Sequence, residues 1–114
     1  MNLLILGDAD GAYRYRLLDK KLNELIETSE CFLFNILCGV IEGEFYEKTL
    51  LGKEWGVNNG APLRIYHGKT EEEVLRVLIS KTDYAIFILD GNAQIKNIFM
   101  KYKMSGKHGS VIQV

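Results

Sequence analysis

Two short turns carry the residues best suited to chemistry. Asp90-Gly91-Asn92 ends the unbroken apolar run Tyr84-Ala85-Ile86-Phe87-Ile88-Leu89, and Gly7-Asp8-Ala9-Asp10-Gly11 ends Asn2-Leu3-Leu4-Ile5-Leu6. Asp90 can accept a hydrogen bond from a ligand hydroxyl, and Asn92 can both donate and accept. Lys96 and Asn97 follow just inside the next helical segment. In the first turn, free backbone N–H groups at a helix start would attract an anion. Gly7 and Gly11 lack the third glycine of the dinucleotide fingerprint, however, and Asp8 and Asp10 would repel a phosphate placed close by. Those carboxylates would better accept hydrogen bonds from ribose hydroxyls, or hold Mg²⁺ as a cofactor. The bland alternatives are an Asx turn at 90–92 and an Asp- and Gly-rich helix cap at 7–11.

Other motifs fall away on spacing. His67-Gly68-Lys69-Thr70 resembles the end of a P-loop, but the position five before Gly68 is Leu63, inside an apolar segment, where the motif needs glycine. His67 and His108 have no evident Ser, Cys or Asp partner and read as solvated loop residues. Cys31 and Cys38 lie seven apart, an odd separation that puts them on opposite faces of a strand, so they cannot pair there. Two Cys and two His without close spacing make no zinc site. The cysteines read as buried thiols of a reducing compartment. Trp55 and Tyr66 read as packing groups rather than base-stacking platforms.

The elements that must position these turns follow from periodicity. Asn2–Leu6 reads as a buried central strand. From residue 13 to 28, Leu18, Leu22, Leu25 and Ile26 recur at helical spacing, with Arg14, Lys20, Lys21 and Glu24 on the surface. Residues 32–38 make a second strand running to Gly39 or slightly beyond. Glu42-Gly43-Glu44 punctuates the passage to a second helix at 49–57, which Asn58-Asn59-Gly60 ends. Pro62 introduces a short third strand at 63–66, suited to an edge. Thr70 with Glu71, Glu72 and Glu73 marks a helix start with an N-cap, and Val74, Leu75, Leu78 and Ile79 bury its stripe. Residues 83–89 form the fourth strand. Ile95, Ile98, Phe99 and Tyr102 pattern a fourth helix closing near Gly106, and 110–114 supply a fifth strand. Strands alternating with helices imply right-handed crossovers and a mostly parallel five-stranded sheet in a three-layer, Rossmann-like α/β sandwich. If the first and fourth strands are neighbours at the switch point, the two turns face one crevice, where open α/β sheets bind ligands.

The totals narrow the function. A chain of 114 residues with 47% hydrophobic and 25% charged content is one ordinary globular domain. Fourteen basic against fifteen acidic residues, a net charge of −1, provide no field for nucleic acid or anionic lipid. No apolar run nears the roughly 20 residues of a membrane span, and no signal peptide is evident, so a cytoplasmic protein is the default expectation. A homo-oligomer is left open.

Three blocks resemble the SLOG superfamily, the Rossmann-like group that includes lonely-guy phosphoribohydrolases and DNA-processing proteins, and within it the small bacterial YspA-like branch. They are Leu3-Leu4-Ile5-Leu6-Gly7 with the turn and helix after it; Leu51-Gly52-Lys53-Glu54-Trp55 running to Asn59-Gly60-Ala61-Pro62; and Thr82-Asp83-Tyr84-Ala85 through Asp90-Gly91 to Gly106-Lys107. The resemblance implies a pocket for a nucleotide or nucleotide-derived molecule at the carboxyl ends of the strands. By position, Gly7 and Asp8 match the first loop, Gly43 and Glu44 the start of the glycine-rich loop, and Asp90, Gly91 and Asn92 the last ligand loop. The Gly-Gly-x-x-Gly-x-Asp pattern is replaced by Gly43-Glu44-Phe45-Tyr46-Glu47-Lys48-Thr49, and the expected Ser-Arg by Asp8-Ala9. Phosphate binding of the usual kind and glycosidic hydrolysis therefore do not follow. Val40-Ile41-Glu42-Gly43 with Asp90-Gly91-Asn92 is also similar to a Toprim domain, which implies Glu42 as general acid/base and Asp90 as a Mg²⁺ ligand. Asn92 stands where that motif has its second aspartate. The expectation is a binding domain for a nucleotide-like small molecule, without established catalysis. The alternatives are Toprim-like phosphodiester chemistry and a scaffold with a degenerate pocket.

Overall fold

The alternation of apolar strands with one-sided helices resolves into a three-layer α/β sandwich in a computed structural model that describes residues 1–8, 12–28 and 33–114. In chain order the elements are β1 (Asn2–Leu6), α1 (Ala12–Thr28), β2 (Asn35–Ile41), β3 (Glu44–Phe45), a 3₁₀ turn (Glu47–Thr49), α2 (Leu50–Asn58), β4 (Leu63–Gly68), α3 (Glu71–Lys81), β5 (Tyr84–Leu89), α4 (Ala93–Met104) and β6 (His108–Gln113). Five strands run parallel in the spatial order β4-β2-β1-β5-β6. The helices divide by face. Leu18, Leu22, Leu51 and Trp55 of α1 and α2 pack on one side of the sheet, and Val74, Leu78, Ile95, Ile98 and Tyr102 of α3 and α4 on the other. A right-handed chain can change face only where its direction of travel across the sheet reverses, which is between β1 and β5.

That central pair is fixed by burial. Along β1, Leu3 and Ile5 enter the first core and Leu4 and Leu6 the second; along β5, Ile86 and Ile88 oppose Ala85 and Phe87 in the same way. Each Leu, Ile or Phe side chain among these contributes about 1.5–3 kcal/mol relative to exposure, and a one-residue slip would exchange the two faces. The register runs from Leu3↔Tyr84 to Leu6↔Phe87, so the two strands end together. Phe87 is held on its own face by tilted ring contacts with Phe99 and Tyr102, both at 5.3 Å between centroids. On β2 and β4 the close approach of α3 is made possible by two glycines: a Cβ on Gly39 or Gly68 would lie 2.5 or 2.6 Å from a γ-carbon of Val74.

The sheet has one strand more than the sequence pattern suggests. Glu42 and Gly43, with φ of 51° and 83°, form a two-residue hairpin turn, and β3 folds back antiparallel on β2 through Val40↔Phe45 and Ile41↔Glu44. The expected strand-to-helix passage at 42–44 is therefore a hairpin tip, formed because Gly43 tolerates the positive φ that such a turn requires. Only Asn35 and Ile36 of β2 pair with β1. Beyond them the 3₁₀ turn is wedged between the ends of β1 and β2: the Gly7 N–H donates to the Lys48 carbonyl at 3.1 Å, the Tyr46 N–H to the Gly39 carbonyl at 2.8 Å, and the Gly39 N–H to Thr49 Oγ1 at 3.3 Å.

Boundaries shift in smaller ways. β4 pairs with β2 alone and is an edge, as its short mixed sequence implies, but it extends through His67 and Gly68. His108 opens β6, so both histidines are exposed strand residues rather than loop residues. β2 starts at Asn35 rather than 32, and Cys31 lies outside the described residues. Trp55 is a packing group whose indole N–H donates to Asp19 Oδ1 at 2.9 Å, tying α2 to α1. Thr70 caps α3 by accepting from the Glu73 N–H at 3.2 Å, and Glu73 reciprocates by accepting from the Lys69 N–H at 2.9 Å.

Candidate functional site

The ends of β1 and β5 lie side by side, and one side chain spans them. Arg14, in the first turn of α1, places a guanidinium nitrogen 2.8 Å from Asp90 Oδ2 and another 3.4 Å from the Asp8 carbonyl. Both charged side chains are 16% exposed. Asp90 Oδ1 accepts the Asn92 N–H at 3.0 Å, closing an Asx turn around Gly91, whose φ is 90°. The backbone N–H of Asn92 first, and the Arg14 guanidinium after it, hold the Asp90 carboxyl below its ordinary ionisation range against the opposing effect of burial. Asn92 then caps α4, its Oδ1 accepting from the N–H groups of Gln94 and Ile95 at 2.9 and 3.3 Å.

The residues expected from sequence thus fall into separate places. Gly7, Asp8, Asp90, Gly91 and Asn92 meet at the paired tips, while Asp10 and Gly11 lie outside the described residues. Gly7 answers to its neighbours: a Cβ there would stand 2.6 Å from Ile88 Cβ, and its N–H is spent on Lys48. Gly43 and Glu44 are exposed on the hairpin. Lys96 is exposed on α4, and Asn97 faces the groove between α3 and α4. Glu42 sits at the hairpin tip after β2, so that β1 lies between its strand and the one that carries Asp90. Among the described residues no group of three or more His, Cys, Asp or Glu is placed to hold a metal ion.

Four further groups come to this end of the sheet that periodicity does not signal. Arg14 reads from sequence as one surface cation among several, yet from the first turn of α1 it reaches over the tips. Lys48, only 5% exposed, is held in the 3₁₀ turn with its ammonium 3.8 Å from Glu47 Oε1 and 5.5 Å from the Tyr46 ring centre. Tyr46 is 4% exposed, and its hydroxyl is buried without a hydrogen-bond partner. Burial, and then the nearby carboxylates of Glu71, Glu47 and Asp8, push its ionisation well above the ordinary tyrosine value. Glu71 is close enough to act on that hydroxyl but lacks the geometry of a hydrogen bond to it; its carboxylate accepts instead from the Gln94 side-chain amide. The one sequence signal for Glu71 is its place at the start of α3, where an acidic side chain meets the positive end of the helix.

The hydroxyls of Thr28, Thr49, Ser80, Thr82 and Ser105 donate to backbone carbonyls rather than to a base. The Cys38 thiol is fully buried, and desolvation pushes it up to about 11 despite the Lys53 charge.

Compared with known proteins, the chain matches no protein-family model, no curated protein and no solved structure.

Proposed function

We propose that this domain binds a nucleotide or nucleotide-derived small molecule over the carboxyl ends of β1 and β5, in the manner of a SLOG-type domain. The observation that carries the reading is the Arg14 bridge: one guanidinium reaches both tips at the point where the sheet changes its direction of winding. Ligands of open α/β sheets gather at that point. A phosphate would compete with Asp90 for Arg14, with Lys48 as a second cation nearby, and the released Asp90 carboxylate would accept ribose hydroxyls. The scaffold alternative draws support from a different observation, that both Asp90 oxygens and the Asn92 side-chain carbonyl are already engaged within their own surroundings.

A thermal-shift screen of the full chain against nucleoside mono- and diphosphates, dinucleotides, inorganic phosphate and Mg²⁺ separates the two. A ligand at a hundredfold excess over its Kd stabilises by about 2.7 kcal/mol, a rise of several degrees. The expected result is such a rise with a nucleotide, abolished by Arg14→Ala and by Asp90→Ala. No rise with any nucleotide leaves the scaffold reading standing. A Mg²⁺-dependent nuclease signal lost in Glu42→Ala would turn the assignment to the Toprim alternative.

A further inference from the structure

A groove of about 710 Å³ runs between α3 and α4 on the face of the sheet away from α1 and α2. Leu75 and Ile79 of α3 and Ile98 of α4 give it an apolar lining. Its two ends carry opposite charge. Glu71 and Glu72 stand at one end beside Gln94, and Lys101 lies at the other, about two turns along α4. The helices repeat that polarity: the first turn of α3 is Glu71-Glu72-Glu73, its last turn holds Lys81, and the last turn of α4 holds Lys101 and Lys103. Within one copy Glu72 pairs only with Arg76 a turn away, and both side chains stay largely in water, where such a pair is worth little. Beside the groove, Met100 and Met104 project from α4, each three residues on from a groove residue, Asn97 or Lys101. They are 50% and 85% exposed, so α4 presents an apolar ridge to water next to an apolar groove.

We infer that this face binds a second copy of the same chain, about a two-fold axis that crosses the groove near Leu75 and Ile98 and sets the helices of the two copies antiparallel. The occupant of such a groove must offer an apolar ridge flanked by acid and base in the reverse order. A partner of one sign would be repelled at one end, whereas a second copy carries the required surface. Rotation about the axis lays the Met100 and Met104 ridge of each copy across the groove of the other, the ridge-into-groove packing by which helices pair. The same rotation brings Lys101 of each copy to the other copy's Glu72. One operation thus satisfies the apolar and the charged features together, as an isologous contact requires. Antiparallel helices also set opposite dipole ends against each other. A net charge of −1 leaves little repulsion for two copies to overcome. Neither Arg14 nor Asp90 lines the groove, so the inference stands apart from the reading of the strand tips.

Sedimentation equilibrium of the full chain across the micromolar range tests the inference, and a monomer–dimer equilibrium is the expected result. Glu72→Lys and Lys101→Glu should each weaken the dimer by roughly tenfold, because the symmetry repeats the reversed pair twice. An equimolar mixture of those two variants should associate as the parent does, since each then meets an opposite charge at both contacts. Met100→Asp, which sets a carboxylate in the ridge, should leave monomer, and Lys20→Glu on α1 should change nothing. All four positions are exposed in the single copy, so the substitutions leave its core intact. Monomer at every concentration, a dimer indifferent to the charge reversals or to Met100→Asp, a mixture that associates no better than either variant alone, or an equal loss in Lys20→Glu would each overturn the interface.

Discussion

Replacing Tyr46 by phenylalanine should make this protein more stable, an unusual direction for a substitution in a core. Tyr46 is 4% exposed and packs with Leu6, Leu37, Val74 and Leu78 in the core under α3 and α4. Phenylalanine retains those contacts and the ring beneath the Lys48 ammonium. What it removes is a hydroxyl with no partner, and a buried unsatisfied polar group costs about 1–3 kcal/mol. The low end applies, because the nearby Glu71 carboxylate still attracts the hydroxyl proton. With an unfolding entropy of about 2.1 cal/mol/K per residue, a gain of about 1 kcal/mol raises Tm by about 4 °C in a domain of this length.

Circular-dichroism melts at pH 7 measure that shift, and the alkaline range provides an independent check. Tyr46 holds its proton in the folded state to a higher pH than in the unfolded chain, where the ordinary value is 10.0. Its contribution is therefore intact below the unfolded value and is lost as pH rises above it, by about 1.4 kcal/mol per unit. A phenylalanine at this position carries no such loss, so the advantage of Tyr46→Phe should widen as the pH is raised from about 10 to about 11. A variant that melts lower than the parent at pH 7 would show that the hydroxyl is bonded to Glu71, and an advantage that stays flat with pH would show that its ionisation is not raised; either would refute the reasoning.

Three further outcomes follow from the packing and the charges. Gly39→Ala places a Cβ 2.5 Å from Val74 Cγ1 and should cost about 1–3 kcal/mol by overpacking; combined with Val74→Ala, urea melts should show a loss smaller than the sum of the two single losses. Because the Asp90 carboxyl is held below its ordinary value of 3.8, its stabilisation is present above that pH and is lost as pH falls through the folded value. Asp90→Asn, which preserves the Asx turn and removes the charge, should therefore flatten the acid limb of the stability curve, and Asp90→Ala should cost more at neutral pH. The Cys38 thiol, raised to about 11, should react with a thiol reagent in native protein at pH 8 only as fast as the domain opens, and should become fully reactive in urea.

The fold was legible because it is written in repeated features. Apolar runs at Asn2–Leu6 and Tyr84–Leu89 identified the central strands, and one-sided helical stripes such as Val74 and Leu78 placed the covering layers. The neighbouring of β1 and β5 entered the sequence reading only as a condition taken from the common doubly wound order, because strand order has no periodicity of its own, and the register supplies it. The site was less legible, since it depends on features without a period. Glu42 and Gly43 make a turn whose type is set by two positive φ angles, and the 3₁₀ turn after β3 is only three residues long. A two-residue strand and a single turn carry too few positions for any alternation to register. The same segment delivers Tyr46 and Lys48 to the strand ends, so the residues the sequence hides are concentrated in the stretch it describes least well. Arg14 was hidden differently: a cation at the start of an amphipathic helix looks solvated, and its reach to Asp90 depends on the neighbouring of β1 and β5, which has no period in the sequence.

The engagement of Arg14 also bears on which ligand suits the tips. A free phosphate that captured Arg14 would strand Asp90 in a setting where its side chain is 16% exposed and its second oxygen bonds the Asn92 N–H. Breaking a partly buried pair leaves an uncompensated charge, and that penalty is subtracted from whatever the phosphate gains. A nucleotide escapes it, because the molecule that takes Arg14 with its phosphate brings ribose hydroxyls able to donate to the vacated carboxylate. In the proposed site the ion pair would therefore act as a filter, discriminating against simple anions while costing little to a ligand that offers an anion and a hydroxyl donor together. Inorganic phosphate should accordingly compete poorly with a nucleoside monophosphate for the wild-type protein, and the gap should narrow in Asp90→Asn, where no stranded charge remains.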